Sequence, residues 1–224
     1  MAKFIIEAAK KELLHILQTN GVTDGRVLAA IEAVPREEFV HEAFRKRAYA
    51  DMSLPIGSNQ TISQPTTVAI MTELLEVAPG MSVLEIGTGS GYQAAVLAAM
   101  GAFVTTIERH EPLHFTSQTL LARLGYSTIK CVLEDGTHGY PKNAPYHRII
   151  VTAGAPDIPK EIARQLAIGG KMVVPVGDRD TQKMHIIIRN AEEDFDVFVN
   201  NDKFRFVPLV GEYGWRNPVT STNN

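Results

Sequence analysis

The sequence predicts an α/β fold, a doubly wound and mostly parallel sheet with antiparallel strands at its C-terminal edge and a helical N-terminal extension. Three observations predict it. Short apolar strands alternate with helical stretches from residue 66 to residue 177, the pattern of parallel strands joined by crossover helices. The first of those strands runs directly into the glycine-rich turn Gly87-Thr88-Gly89-Ser90-Gly91. After residue 177 the strands follow one another with no helix between them, which makes an antiparallel edge.

The first fifty residues read as helices. Over 4–18, Ile6, Ala9, Leu13, Ile16 and Leu17 form a helical stripe that stops at Asn20-Gly21. Thr23-Asp24 caps a second helix through Ala33, ended by Pro35, and a third short helix covers 36–44. Residues 49–65, with Pro55, Gly57 and Pro65, read as a long irregular loop, and loops of that length are often functional. Helices are expected over 66–75, 92–100, 112–124 and 158–166. Strands are expected over 82–86, 103–107, 128–133, 146–152, 170–176, 184–189, 194–199 and, as a last short piece, 204–207. All 224 residues form one domain. Residues 1–65 supply helices and an active-site loop, 66–177 a ligand-binding core, 178–216 the terminal strands and 217–224 a frayed polar tail.

Composition narrows the function. With 22 Lys and Arg against 25 Asp and Glu, the net charge is −3, which speaks against a grip on nucleic acid phosphates. Nothing apolar is long enough to span a membrane, and residues 1–12 do not read as a signal peptide. One cysteine, Cys131, allows neither an internal disulfide nor a cysteine-based zinc site and suits a reducing, cytoplasmic setting. A monomer is expected.

The glycine turn lets a ligand approach the backbone. Its spacing is G-x-G-x-G, with Tyr92 where a dinucleotide fold places a third glycine, and no Gly-Lys-Ser/Thr follows. A nucleoside ligand without a pyrophosphate remains, and S-adenosylmethionine (AdoMet), leaving as S-adenosylhomocysteine, is the candidate. Glu108, at the end of the next strand, is placed to accept from a ribose diol. Glu85 and Asp135 are two further carboxylates at strand ends. Asp135, with Gly136 after it, is placed to receive an adenine amino group. Thr152-Ala153-Gly154-Ala155-Pro156 follows the fourth strand and should flank the transfer site.

Several patterns are set aside. His110-Glu111-Pro112-Leu113-His114 matches H-E-x-x-H, but Pro112 suits a first helical turn, which leaves His110 and Glu111 in the loop before it. No metal site is expected. Histidines 15, 41, 138, 147 and 185 are scattered. Cys131, inside a strand, reads as a structural thiol. The absence of an Asp/Asn-Pro-Pro-aromatic motif after strand four weighs against a nucleic-acid methylase. A small-molecule methyltransferase, a noncatalytic AdoMet-binding module and a nicotinamide oxidoreductase stand as alternatives.

Gln60-Thr61-Ile62-Ser63-Gln64-Pro65, then 83–92, then Gly169-Gly170-Lys171-Met172-Val173-Val174-Pro175-Val176-Gly177 resemble the protein-L-isoaspartate (D-aspartate) O-methyltransferase family. Val34-Pro35-Arg36-Glu37-Glu38-Phe39-Val40 and 206–212 carry the resemblance further, over about 10–215. The resemblance implies AdoMet-dependent methylation of the free α-carboxylate of L-isoaspartyl residues in damaged proteins and peptides, with D-aspartyl residues as a further substrate class. The ester then closes to a succinimide that reopens partly to aspartate. It also implies that Ser63 is the active-site residue, with Gln60, Thr61 and Ile62 lying over the cofactor. Thr66-Thr67 stand where the family varies. Catalysis would then rest on Ser63, and cofactor binding on Gln60, Thr61, Ile62, Glu85, Gly87, Thr88, Gly89, Ser90, Gly91, Glu108, Asp135 and Gly136.

Overall fold

The structure, a computed structural model, describes residues 2–216; the tail expected to fray, 217–224, lies outside them. Seven strands form one sheet in the order β5-β4-β3-β6-β7-β8-β9. They are β3 (Ser82–Ile86), β4 (Phe103–Glu108), β5 (Lys130–Leu133), β6 (Tyr146–Val151), β7 (Leu166–Gly177), β8 (Gln182–Arg189) and β9 (Phe195–Phe204). The first five in sequence pair in parallel, and β8 and β9 add antiparallel at one edge. Chain order reverses between β3 and β6, and ligands gather beyond the carboxyl ends of strands at such a switch point.

Alternation along the strands feeds two cores. Val83, Val104, Ile150 and Val173 face one layer, packed under α1 (Ala2–Thr19), α2 (Gly25–Ala33), α3 (Pro65–Leu75) and α4 (Tyr92–Ala99). Leu84, Ile86, Ile107, Ile149, Val151, Met172 and Val174 face the other. Side chains on successive strand residues point to opposite faces, so a strand buried on both reads as a continuous apolar run. Helix α5 (Glu111–Arg123) sends Leu121 into the first core. The second core has thin cover: α6 spans only Lys160–Ala163.

Several predicted boundaries move for identifiable reasons. Residues 36–44 do not form one helix but two 3-10 segments, Arg36–Glu38 and Glu42–Arg47. Phe39 and Val40, both buried, lie at the break between them, after the first segment ends at Glu38. The helix expected over 158–166 shrinks because Pro159 caps it and Leu166 already belongs to β7, paired with Tyr146. The separate strand over 204–207 is absent: β9 continues to Phe204 through a register shift, and the chain then leaves the sheet.

The stretch expected to be irregular contains a hairpin, β1 (Leu54–Gly57) paired with β2 (Gln60–Ile62). Its turn residues Ser58 and Asn59 both have positive φ, 48° and 56°. That is the backbone of the hairpin turns whose twist matches the strands. Leu54 and Ile62 point into the first core and anchor the hairpin.

Candidate active site

The cavity at the carboxyl ends of β3, β4 and β6 has a volume of about 380 Å³, within the range of small-molecule sites. The β1–β2 hairpin forms one wall, supplying Gln60, Thr61 and Ile62, with Ser63 just beyond it. The glycine turn with Glu85 and Glu108 forms the floor. Thr152 and Ala153 lie beside it, and residues 207–210 close the far side.

Gly87 shows why the turn needs glycine. Its φ is +99°, and an added Cβ would come within 2.6 Å of Thr152 Oγ1. That hydroxyl donates toward the carbonyls of Ile86 (2.9 Å) and Gly87 (2.7 Å). The ends of β3 and β6 are thus stapled beside the cavity.

Glu108 holds the turn from the next strand. One of its oxygens accepts from the Gly89 amide (2.8 Å) and the other from the His110 amide (2.8 Å). Each carboxylate oxygen keeps acceptor capacity beyond those bonds, so the carboxylate can also meet a diol. Glu85 is fully buried, and burial pushes its carboxyl up to about 8. Its Oε2 accepts from Thr106 (2.5 Å), whose hydroxyl also meets Thr88 (2.6 Å). Its Oε1 has no protein partner among the described residues.

Ser63 lies between β2 and α3, on the cavity wall. Its carbonyl points inward and accepts from Arg36 (2.6 Å). The next turn is fixed by Asp51, which accepts from Gln64 Nε2 (3.0 Å), the Thr66 amide (2.8 Å) and the Thr66 hydroxyl (2.8 Å).

The cavity thus gathers Gln60, Thr61, Ile62, Ser63, Glu85, Gly87, Thr88, Gly89, Ser90, Glu108 and Gly136. Two sequence-predicted residues lie outside its lining. Gly91 caps α4 with φ 88° and packs toward Leu121. Asp135 directs its carboxylate at the Thr137 amide (2.9 Å), the Thr137 hydroxyl (2.8 Å) and the Glu212 amide (2.9 Å). Sequence reasoning did not select Val68, Met71, Gln93, Arg109 or His110, which also line the cavity. Val68 and Met71 are apolar residues of α3, and Gln93, buried and bonded to Thr72 (3.0 Å), carried no local signal. Among the described residues, no group of three or more His, Cys, Asp or Glu could hold a metal ion. His110 caps α5, Glu111 is its first residue rather than part of the loop, and His114 is buried along it.

The donor set fits AdoMet. A tight glycine turn admits the ligand to the backbone, Glu108 offers acceptors, and no Gly-Lys-Ser/Thr phosphate loop follows the turn.

Comparison with known proteins agrees. The sequence pattern of the family described as protein-L-isoaspartate(D-aspartate) O-methyltransferase matches residues 8–214. A protein-L-isoaspartate O-methyltransferase of Cytophaga hutchinsonii is 47% identical over 212 residues, 95% of this chain and 95% of its own. One from Magnetococcus marinus is 48% identical over 209 residues, 93% of this chain and 91% of its own. Among solved structures, a protein-L-isoaspartate O-methyltransferase superposes with TM-score 0.80 at 28% identity, covering 92% of this chain and 67% of that one. A putative protein-L-isoaspartate O-methyltransferase from Plasmodium falciparum, in complex with S-adenosyl-L-homocysteine, gives TM-score 0.76 at 25% identity, covering 89% and 97%. With the family pattern spanning nearly its whole length, the chain belongs to the protein-L-isoaspartate(D-aspartate) O-methyltransferase family.

Proposed function

We propose that this chain methylates the free α-carboxylate of L-isoaspartyl residues in damaged proteins and peptides, using AdoMet, and so starts their repair through a succinimide. The observation that carries the reading is that Ser63 and the Glu108-held glycine turn share one cavity.

When bound, AdoMet supplies an electrophilic methyl group on a sulfonium. Glu108 and the glycine turn would hold its nucleoside, with Gln60, Thr61 and Ile62 above it. The accepting carboxylate has an unperturbed pKa of about 3.3–3.7 and is ionised at neutral pH. No general base is needed, so alignment and exclusion of water are the protein's tasks. Ser63 suits alignment, since a hydroxyl donates one hydrogen bond without neutralising the carboxylate. The hairpin on one side and residues 207–210 on the other frame a groove for an extended main chain. Recognition through main chain suits substrates that share a defect and not a sequence.

A net charge of −3 gives no preference for nucleic acid. The single thiol supports a reducing, cytoplasmic setting. Among the described residues no helix is long and apolar enough to cross a membrane.

The test incubates the protein with methyl-labelled AdoMet and matched peptides carrying L-isoaspartate, D-aspartate or L-aspartate, then traps released methanol. Label is expected with L-isoaspartate and not with L-aspartate. Equal labelling of those two, or none, overturns the reading.

A further inference from the structure

Arg36 is the largest fully buried side chain among the described residues, at 0% exposure. Its Nε donates to the Ala48 carbonyl (2.8 Å) and one terminal nitrogen donates to the Ser63 carbonyl (2.6 Å). The guanidinium carbon sits 4.6 Å from the centre of the Tyr92 ring. The other terminal nitrogen has no partner among the described residues. No carboxylate pairs with it directly: Asp51, nearby, bonds Gln64 and Thr66 instead.

A buried cation without a paired anion is costly, and a well-packed apolar side chain would often serve stability better. What the guanidinium touches suggests a different use. Ser63 stands between β2 and the first turn of α3, so a bond to its carbonyl anchors the backbone from which its hydroxyl projects. Tyr92 opens α4 directly after the glycine turn and is itself 2% exposed. Arg36 therefore bridges the segment that carries the proposed substrate-orienting hydroxyl and the helix that carries the cofactor turn. Its planar fork is suited to holding two carbonyls while stacking on a ring.

We propose that Arg36 is a positioning residue that sets the Ser63 hydroxyl relative to the methyl donor, a role that rests on the orienting function of Ser63 proposed above. A misplacement of about 1 Å at such a centre costs on the order of 100-fold in rate.

The experiment compares Arg36→Met, Arg36→Lys, Ser63→Ala and the two double variants with the unaltered protein. It measures kcat and KM on an L-isoaspartyl peptide, AdoMet affinity by calorimetry and the thermal midpoint. Arg36→Met is expected to lower kcat about 30- to 100-fold and to leave AdoMet affinity within about threefold. Lysine, with the charge but no fork, is expected to recover part of that loss. Adding Ser63→Ala to either Arg36 variant should cost about threefold or less, because the hydroxyl is already misplaced and the two losses do not add. A purely structural role would give additive losses. Should Arg36→Met fail to fold, Arg36→Lys, which keeps the buried cation, carries the same comparison. Additive losses, or a kcat within about threefold of the unaltered protein, overturn the proposal. If Ser63→Ala alone leaves kcat unchanged, the orienting role of Ser63 falls and this one with it. If Ser63→Ala is slow and the Arg36 variants are not, only the Arg36 proposal falls.

Discussion

Glu85 and Glu108 lie at the ends of adjacent strands, yet their carboxyl groups sit in different surroundings. Glu108 spends one oxygen on the Gly89 amide of the glycine turn and the other on the His110 amide at the start of α5. Replacing it with alanine removes two bonds to a charged acceptor, each worth about 1.5–3 kcal/mol. AdoMet binding, measured by calorimetry, should weaken at least about tenfold, and unchanged affinity would remove Glu108 from the cofactor site. Glu85 is buried with one oxygen unpartnered, and burial raises its carboxyl from 4.5 to about 8. Below pH 4.5 it is protonated folded and unfolded, and there is no penalty. As pH rises from 4.5 toward 8, the unfolded chain releases the proton and the folded chain keeps it, so stability falls. Glu85→Gln mimics the protonated form. It should raise the thermal midpoint of the ligand-free protein at pH 8 by several degrees, on the order of a few kcal/mol. The gain should vanish near pH 4. A gain independent of pH would mean that packing, not ionisation, separates the two side chains.

Helix α3 begins two residues after Ser63, and its first turn is capped from outside by Asp51. Loss of a capping acceptor costs about 1–2 kcal/mol. Asp51→Ala should therefore lower the thermal midpoint by about 2–8 °C for a chain of this size, and it should slow turnover beyond any change in AdoMet affinity, because Ser63 rides on the same turn. A thermal loss with unchanged kcat would confine Asp51 to stability. The reason Asp51 was illegible in the sequence is instructive. The bounds of β3, Ser82–Ile86, could be read because an apolar run ends abruptly in glycines, a local signal. So could Asp24, which caps α2 one residue before it starts. Asp51 caps a helix 14 residues further on, across a hairpin whose turn, Ser58-Asn59, lacks the usual Asn-Gly pair. Arg36 was hidden in the same way: charge at a sequence position predicts a surface, and only the fold shows three elements closing around it. Glu108, by contrast, was legible because strand, carboxylate and turn keep a fixed spacing whenever this βαβ unit forms.

The last described residues tie the two halves of the molecule together. After β9 the chain leaves the sheet edge and crosses back over the carboxyl ends of the strands. Gly154 donates to Val207 (2.8 Å) and accepts from Leu209 (2.8 Å), and Trp215 Nε1 donates to the Gly154 carbonyl (3.0 Å). Beyond the cavity, Asp135 accepts from the Glu212 amide, while the Thr137 hydroxyl accepts from the Tyr213 amide (3.2 Å). Gly211 passes so close to the Asp135 carboxylate that a Cβ there would collide with it. This strap supplies 207–210 to the cavity wall and Leu209 to the thinly covered second core, so its docking couples substrate groove, cofactor site and sheet. Asp135 is its anchor. Burial acts to raise its carboxyl, but hydrogen bonds from the backbone of Thr137 and Glu212 outweigh that and hold it below the usual 3.8. Its contribution is present above 3.8 and lost as pH falls through its lower folded value. Trp215 is the sole tryptophan, so its emission reports the strap directly. Asp135→Ala should shift that emission to the red in ligand-free protein at neutral pH, as the indole gains solvent, and should raise KM for the isoaspartyl peptide. The difference from the unaltered protein should narrow only as pH falls through the folded value below 3.8, where the native carboxylate also loses its charge. An adenine-binding role for Asp135 predicts another outcome: weaker AdoMet binding with the ligand-free emission unmoved. Measuring emission before and after adding AdoMet separates an anchor of the strap from a contact to the cofactor.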